Sequence, residues 1–290
     1  MFAFTDHKAL SLLFLLFFSL TATAENTSFT TTHFSGSGNC SDCHDGITDD
    51  LGEDVSIVQE WSASMKANAA KDPYWKAKIA AELKRNAHLA EVINDKCTEC
   101  HAPMANYESD GKAEILGDKG ILDPSHPLHD AAMNGVSCTY CHQIEDDASL
   151  GTLDGFSGNV EISDGKVAYG QYSDPLQQPM INQAGFTPLY GEHMSGSELC
   201  ATCHNLKTPF VDANGNLASS TPESEFPEQM PYTEWEHSIF SDTGSNPKSC
   251  QDCHMPATSS KVSNRPSTLP VRDEFAKHRF SGANTVMLTL

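Results

Sequence analysis

Basic side chains are scarce in this chain of 290 residues, which has 18 Lys and Arg against 39 Asp and Glu and a formal charge of −21. Proteins that bind nucleic acid need positive charge to neutralise phosphates, so nucleic acid is excluded as an expected partner. Long apolar runs are also missing after residue 24, and no later segment is apolar enough to span a bilayer. The acidic composition suits protein partners that are basic or membrane-associated, and the alternative is that it serves only solubility.

No cysteine lies outside one short motif. All ten cysteines belong to five copies of Cys-x-x-Cys-His. The copies are Cys40, Cys43 and His44; Cys97, Cys100 and His101; Cys138, Cys141 and His142; Cys200, Cys203 and His204; Cys250, Cys253 and His254. This pattern is the attachment signal for c-type haem. Two cysteines one helical turn apart can reach both vinyl groups of one haem edge, and the next histidine then lies under the iron as its proximal ligand. The sequence predicts five covalently bound haem c groups.

Other uses of the cysteines explain less of the pattern. Four-cysteine zinc sites use Cys-x-x-Cys pairs two at a time, which leaves one of five pairs over. A disulfide framework suits an even cysteine count but gives no reason for the five histidines. A thioredoxin-like pair normally occurs once, in a βαβ setting.

The first 24 residues resemble a secretory signal peptide. Lys8 provides the positive charge, residues 10–20 are apolar apart from two serines, and Ala22-Thr23-Ala24 offers a cleavage site. An uncleaved anchor is the alternative, although the apolar run is shorter than the roughly 20 residues of a membrane span. We expect residues 25–290 to form a single pentahaem cytochrome c domain in the bacterial periplasm or outside the cell.

The apolar residues are few for a conventional core, so we expect haem to form much of it. The predicted fold is mainly α with much irregular chain and small β-hairpins, organised around stacked haems. Helices are predicted over residues 54–71 and, after an Asp72 cap and Pro73, over residues 74–94. Hairpins are predicted over residues 160–169 and 210–217, where Asp-Gly or Asn-Gly separates short apolar segments. Residues 30–37 are predicted to form a loose leader.

The second axial ligand of each iron decides its chemistry, because histidine gives a low-potential carrier, methionine raises the potential and an open position admits a substrate. Seven histidines of residues 25–290 lie outside the motifs, enough for five bis-histidine haems. The candidate distal ligands are His33, His88, His129, His193, His237, His278 and Met65. His126 and His129 are expected to share one role, with His129 preferred. Each histidine could instead be an ordinary surface residue, and Met65 an ordinary core residue.

Several segments around these motifs resemble the multihaem cytochrome c superfamily that includes the tetrahaem electron acceptor of hydroxylamine oxidation. They include Glu60-Trp61-x-x-Ser64, the C-x-x-C-H-A-P-M run from Cys97, and Pro231-Tyr232-x-Glu234-Trp235-x-x-Ser238. The resemblance implies haems stacked in pairs, mostly bis-histidine iron, and electron transfer. In related sequences a histidine ligand often stands two residues after the serine of the Trp-x-x-Ser segment, whereas this chain has Lys66 and Phe240 there.

These features predict an exported pentahaem electron carrier that passes electrons between redox partner proteins and needs no substrate chemistry. Two alternatives stay open. One is a multihaem reductase or oxidase acting on a small nitrogen or sulfur oxyanion. The other is a subunit of an extracellular cytochrome filament, which would require an oligomer.

Overall fold

The computed structural model describes residues 27–218 and 221–282, so the predicted signal peptide lies outside the described residues. Within them the chain is built of short helices joined by irregular segments. The helices are α1 (Gly38–His44), α2 (Ile57–Ser62), α3 (Pro73–Arg85), α4 (Ala90–His101), α5 (Pro103–Glu108), α6 (His129–Met133), α7 (Cys138–Cys141), α8 (Gln177–Ala184), α9 (Ser197–His204), α10 (Pro231–Glu236) and α11 (Cys250–His254). No described helix has the length and hydrophobicity that crossing a bilayer requires.

The strands form three two-stranded sheets. Parallel β1 (Val167–Gly170) and β2 (Thr187–Tyr190) make the first, antiparallel β3 (Leu206–Thr208) and β4 (Phe226–Gln229) the second, and antiparallel β5 (Ala257–Ser260) and β6 (Arg272–Ala276) the third. The predicted fold class, mainly helical with irregular chain and small sheets, is confirmed.

The predicted long helix of residues 74–94 is wrong in one respect, because it is two helices. Its start is confirmed, since the Asp72 side chain accepts a hydrogen bond from Tyr74 N and Pro73 occupies the first helical position. At Asn86 the backbone leaves the helical region, and the Asn86 side chain bonds Glu82 instead. A short 3₁₀ turn, Ala87–Leu89, then leads into α4. Asparagine favours such breaks because its side chain competes with the backbone for hydrogen bonds.

The predicted helix of residues 54–71 is shorter than expected. Only α2 is helical, and a series of turns follows it as far as residue 71. Asn68 Nδ2 donates to the carbonyls of Ser62 and Ser64, which fixes the turns in place of a continued helix. These turns carry Met65 and Lys66.

One predicted hairpin is wrong and the other is confirmed. Ile162 forms an isolated bridge with Ile144, while β1 pairs with β2, so residues 160–169 do not fold back on themselves. Ile162 is buried in the main core, which holds it away from β1. In the second segment Val211 pairs with Leu217 around a turn in which Gly215 has a positive φ.

The main core lies under the first three motifs. It contains Phe34, Trp75, Ile79, Met104 and Tyr140, among other buried side chains from residues 34–162. Phe34 is fully buried, so the loose leader predicted for residues 30–37 is wrong. Burial of this aromatic ring draws the segment into the core.

Candidate haem sites

Each Cys-x-x-Cys-His motif lies on, or at the end of, a short helix. These helices are α1, α4, α7, α9 and α11, and each motif histidine is the last helical residue or the residue after it. Residues three apart lie on the same side of a helix, so the two cysteines of each motif share a face. The local structure therefore meets the geometric requirement for attaching one haem edge.

Four of the five motif histidines are held by a backbone carbonyl. The Nδ1–oxygen pairs are His44 with Val262 (2.8 Å), His101 with Ala69 (3.1 Å), His142 with Tyr169 (2.6 Å) and His254 with Ser281 (2.5 Å). A histidine that donates Nδ1–H to a carbonyl has a fixed ring and keeps Nε2 for a metal. This donor arrangement fits haem iron.

The surroundings of these motifs favour the uncharged ligand form. Burial lowers the pKa of His44, His101 and His142 in the polypeptide. A metal-binding imidazole must be unprotonated, so a lowered pKa assists ligation. Burial also raises the pKa of Cys97 and Cys141 to about 11. The surroundings of these two cysteines therefore exclude water, as a porphyrin requires.

Neighbouring motifs meet through their cysteines. The thiols of Cys40 and Cys138 shift each other's pKa, as do those of Cys100 and Cys203 and those of Cys200 and Cys250. With the motifs numbered in chain order, these contacts join motif 1 to motif 3, motif 2 to motif 4, and motif 4 to motif 5. The sequence does not show which motifs are neighbours, because the joined motifs are not all consecutive along the chain.

The described part of the chain contains neither a disulfide bond nor a group of side chains that could form a zinc site. All ten cysteines are free. Within residues 27–218 and 221–282, no three or more His, Cys, Asp or Glu side chains are grouped to hold a metal ion.

Among the candidate distal ligands, His278 lies opposite a motif histidine. The ring centroids of His278 and His142 are 6.4 Å apart and the ring planes differ by 20°. Nδ1 of His278 lies 2.9 Å from the carbonyl oxygen of Ala276, which leaves Nε2 for a metal. Burial and the nearby His142 lower the pKa of His278 to about 3. The structure thus places two imidazoles opposite each other, as two ligands of one iron must be.

A carboxylate holds the His278 segment in place. Glu60 Oε2 accepts a hydrogen bond from the backbone N–H of His278 at 2.7 Å, and Glu60 Oε1 lies 2.7 Å from Arg279 Nε. Glu53 adds ion pairs to Lys277 and Arg279. Glu60 belongs to the Glu-Trp-x-x-Ser segment, so that segment anchors a histidine from the far end of the chain.

Three other candidates also keep Nε2 available. Their Nδ1 contacts are His33 with Glu108 Oε1 (3.2 Å), His129 with the Ile121 carbonyl (3.0 Å) and His237 with the Thr233 carbonyl (2.8 Å). His126 differs from His129, because its Nδ1 accepts the backbone N–H of Leu128. This difference agrees with the preference for His129.

Two candidates use Nε2 for a protein contact instead. His88 Nε2 lies 2.8 Å from the Gly215 carbonyl, and His193 Nε2 lies 2.9 Å from the Ile144 carbonyl. His193 Nδ1 is buried without a hydrogen bond. Ligation through Nε2 would require both rings to give up these bonds. Met65 is half-buried in the turns after α2.

The remaining motif histidine, His204 of motif 4, contacts a lysine. Lys66 Nζ lies 3.3 Å from His204 Nε2, and the Lys66 ammonium lowers the pKa of His204 to about 4. Lys66 stands where related sequences often have a histidine. The sequence therefore singled out position 66, but it did not predict the contact with His204.

The two Glu-Trp-x-x-Ser segments make the same contacts. Trp61 Nε1 donates to the Val136 carbonyl at 2.9 Å, and Trp235 Nε1 donates to the Lys248 carbonyl at 2.7 Å. Each acceptor lies two residues before the first cysteine of a haem motif. The backbone N–H groups of the same two acceptors donate to the carbonyls of Lys66 and Phe240, both at 2.9 Å. Positions 66 and 240 are therefore structurally equivalent.

Sequence reasoning missed one ring beside a motif. Trp75 stacks on His101, with centroids 4.7 Å apart and planes 12° apart. Trp75 lies on α3, well before the motif. The sequence showed it only as an aromatic residue in an amphipathic helix, which does not predict a contact with His101.

Comparisons with known proteins found one family model and one solved structure that resemble this chain. Residues 39–143 match the family model described as cytochrome c554 and c-prime. The crystal structure of a penta-heme cytochrome c552 from Thermochromatium tepidum is similar, with 19% sequence identity over 87% of this chain and a TM-score of 0.45. The present chain spans 58% of the length of that structure. No curated protein matches the chain.

The family match contains the first three Cys-x-x-Cys-His motifs and the first Glu-Trp-x-x-Ser segment. These are some of the features on which the predicted resemblance rested, so that resemblance is confirmed over this part of the chain. Residues 39–143 are similar to the family described as cytochrome c554 and c-prime.

Proposed function

We propose that the chain is an exported pentahaem cytochrome c that carries electrons between redox partner proteins. The observation that carries the proposal is the contact between motifs. Thiols of motifs 1 and 3, 2 and 4, and 4 and 5 lie close enough to shift each other's pKa. Haems attached at these thiols would be close neighbours, as electron transfer between them requires.

The polypeptide has three tasks in this function. Its cysteines tether each haem, its histidines hold the iron, and its backbone carbonyls orient those histidines through Nδ1. Haem supplies an iron that changes between two oxidation states, with a potential set by its axial ligands. The buried residues around motifs 1–3 exclude water from the sites.

The distal ligands follow from the ring contacts. We assign His278 to the iron of motif 3, because it lies opposite His142 and is anchored by Glu60. His33, His129 and His237 are the next candidates, since each keeps Nε2 available. His88, His193 and Met65 remain sequence-based candidates.

Export is part of the proposal. Residues 1–24 would be removed, and residues 25–290 would act in the periplasm or outside the cell, where covalent haem attachment takes place in bacteria. The net charge of −21 favours basic partners, because complementary charge speeds encounter.

Mass spectrometry of the secreted protein, combined with haem and iron quantification, tests the proposal. We expect the polypeptide from residue 25 with five haems bound. A double variant, Cys250→Ala with Cys253→Ala, should contain four and serves as the internal calibration. A colourless product at the mass of the bare polypeptide would overturn the proposal.

Two further measurements separate the carrier from its alternatives. Turnover of nitrite, hydroxylamine or tetrathionate with a reduced dye would indicate the reductase or oxidase. Ordered fibres in electron micrographs of the secreted fraction would indicate the filament subunit. A carrier should exchange electrons with small redox proteins and show neither property.

A further inference from the structure

Lys66 occupies an unusual position for a lysine in such an acidic chain. Its Nζ lies 3.3 Å from His204 Nε2, and the Phe280 ring centroid lies 5.2 Å away. Among the ion pairs of the described residues, none involves Lys66. The chain has 39 carboxylate residues, and yet this amine faces an imidazole and a phenyl ring.

The backbone of Lys66 is fixed. Its carbonyl accepts the N–H of Val136, and it lies so close to Gly135 that a Cβ there would be 2.4 Å from the Lys66 oxygen. Gly135 also has a φ of +61°, a conformation that favours glycine. Ala67 is fully buried beside it. The fixed backbone of this turn therefore directs the Lys66 side chain toward motif 4.

His204 is the motif histidine that differs from the others. The other four have Nδ1 against a backbone carbonyl, whereas the hydrogen-bond partner found for His204 among the described residues is the Lys66 amine at Nε2. Nε2 is the nitrogen that a motif histidine offers to iron. The Lys66 amine thus lies on the side of His204 where the iron would be bound.

The equivalent position in the second Glu-Trp-x-x-Ser segment provides a contrast. Phe240 makes the same backbone contact as Lys66, but its side chain contains no donor and is 41% exposed. Of the two equivalent positions, only residue 66 has a side chain that can ligate a metal, and it is the one that reaches a motif histidine.

We propose that Lys66 is the distal ligand of the haem attached at Cys200 and Cys203, so that this iron is held by His204 and a lysine amine. This inference rests on the proposed function, because it requires haem at motif 4. A lysine has the reach for this role, with a compact amine on a flexible four-carbon stem. A metal-bound amine is uncharged, which also suits a site between apolar neighbours.

Spectroscopy of the oxidised pentahaem protein tests the proposal without any activity assay. Near-infrared magnetic circular dichroism distinguishes histidine–lysine from bis-histidine iron by the energy of the charge-transfer band. We expect one haem in five to show the histidine–lysine band. A wild-type spectrum without that band would overturn the proposal, whatever the variants do.

Variants then identify the residue. Lys66→Ala and Lys66→Arg should both convert one haem to the high-spin form, and CO binding to the reduced protein should rise by one equivalent. Arginine keeps the positive charge but cannot ligate, because its guanidinium does not lose its proton in proteins. Lys66→His should restore a low-spin iron with a bis-histidine spectrum. If Lys66→Arg kept the wild-type spectrum, the lysine would act through its charge and the proposal would be wrong.

Lys112→Ala is the matched control, because Lys112 is exposed and ion-paired with Asp110. Its spectra should equal those of the wild type. Haem quantification distinguishes the two possible failures. Fewer than five haems in the wild type would refute the proposed function, whereas five haems with an unchanged Lys66→Ala spectrum would refute only the role of Lys66.

Discussion

The region that carries motifs 1–3 and the region that carries motifs 4 and 5 bury their sites to different degrees. His44, His101 and His142 are half-buried, whereas His204 and His254 are exposed. The first region has the main core, with buried side chains from Phe34 to Ile162. The second has only a small cluster of Phe156, Ala201 and Tyr232.

Exposed apolar side chains accompany the thin core of the second region. They include Phe210, Val211, Leu217, Phe226, Ile239 and Phe240, each more than 40% exposed. The difference indicates that haem would have different surroundings in the two regions. In the first it would be enclosed by the main core, and in the second it would lie against a small cluster and exposed side chains.

Removal of a single motif should show the largest difference in stability between the two regions. Cys138→Ala with Cys141→Ala should prevent folding or lower the unfolding free energy by more than about 5 kcal/mol, since deleting even one large core side chain costs about 3–5 kcal/mol. Motif 3 contains Tyr140, which lies in the main core. The corresponding change at Cys250 and Cys253 should leave a folded protein with four haems. Thermal melting of both secreted variants measures the difference, and equal losses would contradict it.

The two equivalent tryptophans give a smaller, better-matched comparison. Trp61 is 3% exposed and Trp235 is half-buried, yet both donate to a carbonyl before a haem motif. Trp61→Phe leaves a carbonyl without its donor in a dry site and should cost about 2 kcal/mol. Trp235→Phe should cost less than about 1 kcal/mol, because water can replace the lost donor. Urea unfolding of both variants measures the difference. The reverse order would mean that the second region is the better packed.

The carboxylates that hold the His278 segment offer the finest comparison. The Glu60 side chain is 8% exposed, and that of Glu53 is 46% exposed. Glu60→Gln should cost about 1–2 kcal/mol, since the negative charge and one of the two acceptor oxygens are lost. It should also alter the electron paramagnetic resonance signal of one haem, because the His278 segment loses its charged anchor. Glu53→Gln should have a smaller effect on stability and none on that signal.

Acid titration checks the Glu53 contribution. Hydrogen bonds from Lys277 and Arg279 lower the pKa of Glu53 below its usual 4.5. A carboxylate with a lowered pKa stabilises the fold fully above the unfolded value and loses this contribution as the pH falls through the folded value. The melting temperatures of the wild type and Glu53→Gln should therefore differ above about pH 4.5 and converge in stronger acid. A constant difference would show that the carboxylate charge is not involved.

Local sequence signals predicted the parts of this fold that depend on local interactions. The Asp72 cap and the turn at Gly215 are settled by side chains within a few residues, and both are confirmed. The errors fall where distant contacts prevail. Ile162 pairs with Ile144 in the core instead of forming a hairpin, and the polar segment around Phe34 is ordered because its one aromatic ring is buried.

The candidate sites divide in the same way. The motifs could be read directly, but Trp75 beside His101 and Lys66 beside His204 could not, since each approaches its motif from another part of the chain. The Glu-Trp-x-x-Ser segments were visible as patterns. Only the structure shows that the tryptophan of each segment donates a hydrogen bond to the residue that lies two positions before the first cysteine of a motif.

The predicted chemistry could be read from the amino-acid order, because a motif of five consecutive residues contains every protein atom needed to attach a haem and to bind one face of its iron. The three-dimensional arrangement was needed to learn which motifs are neighbours, that His278 lies opposite His142, and that Lys66 reaches His204. The physical reason is distance along the chain. These pairs are set by packing and by the Glu60 and Trp61 anchors, and no local pattern encodes them.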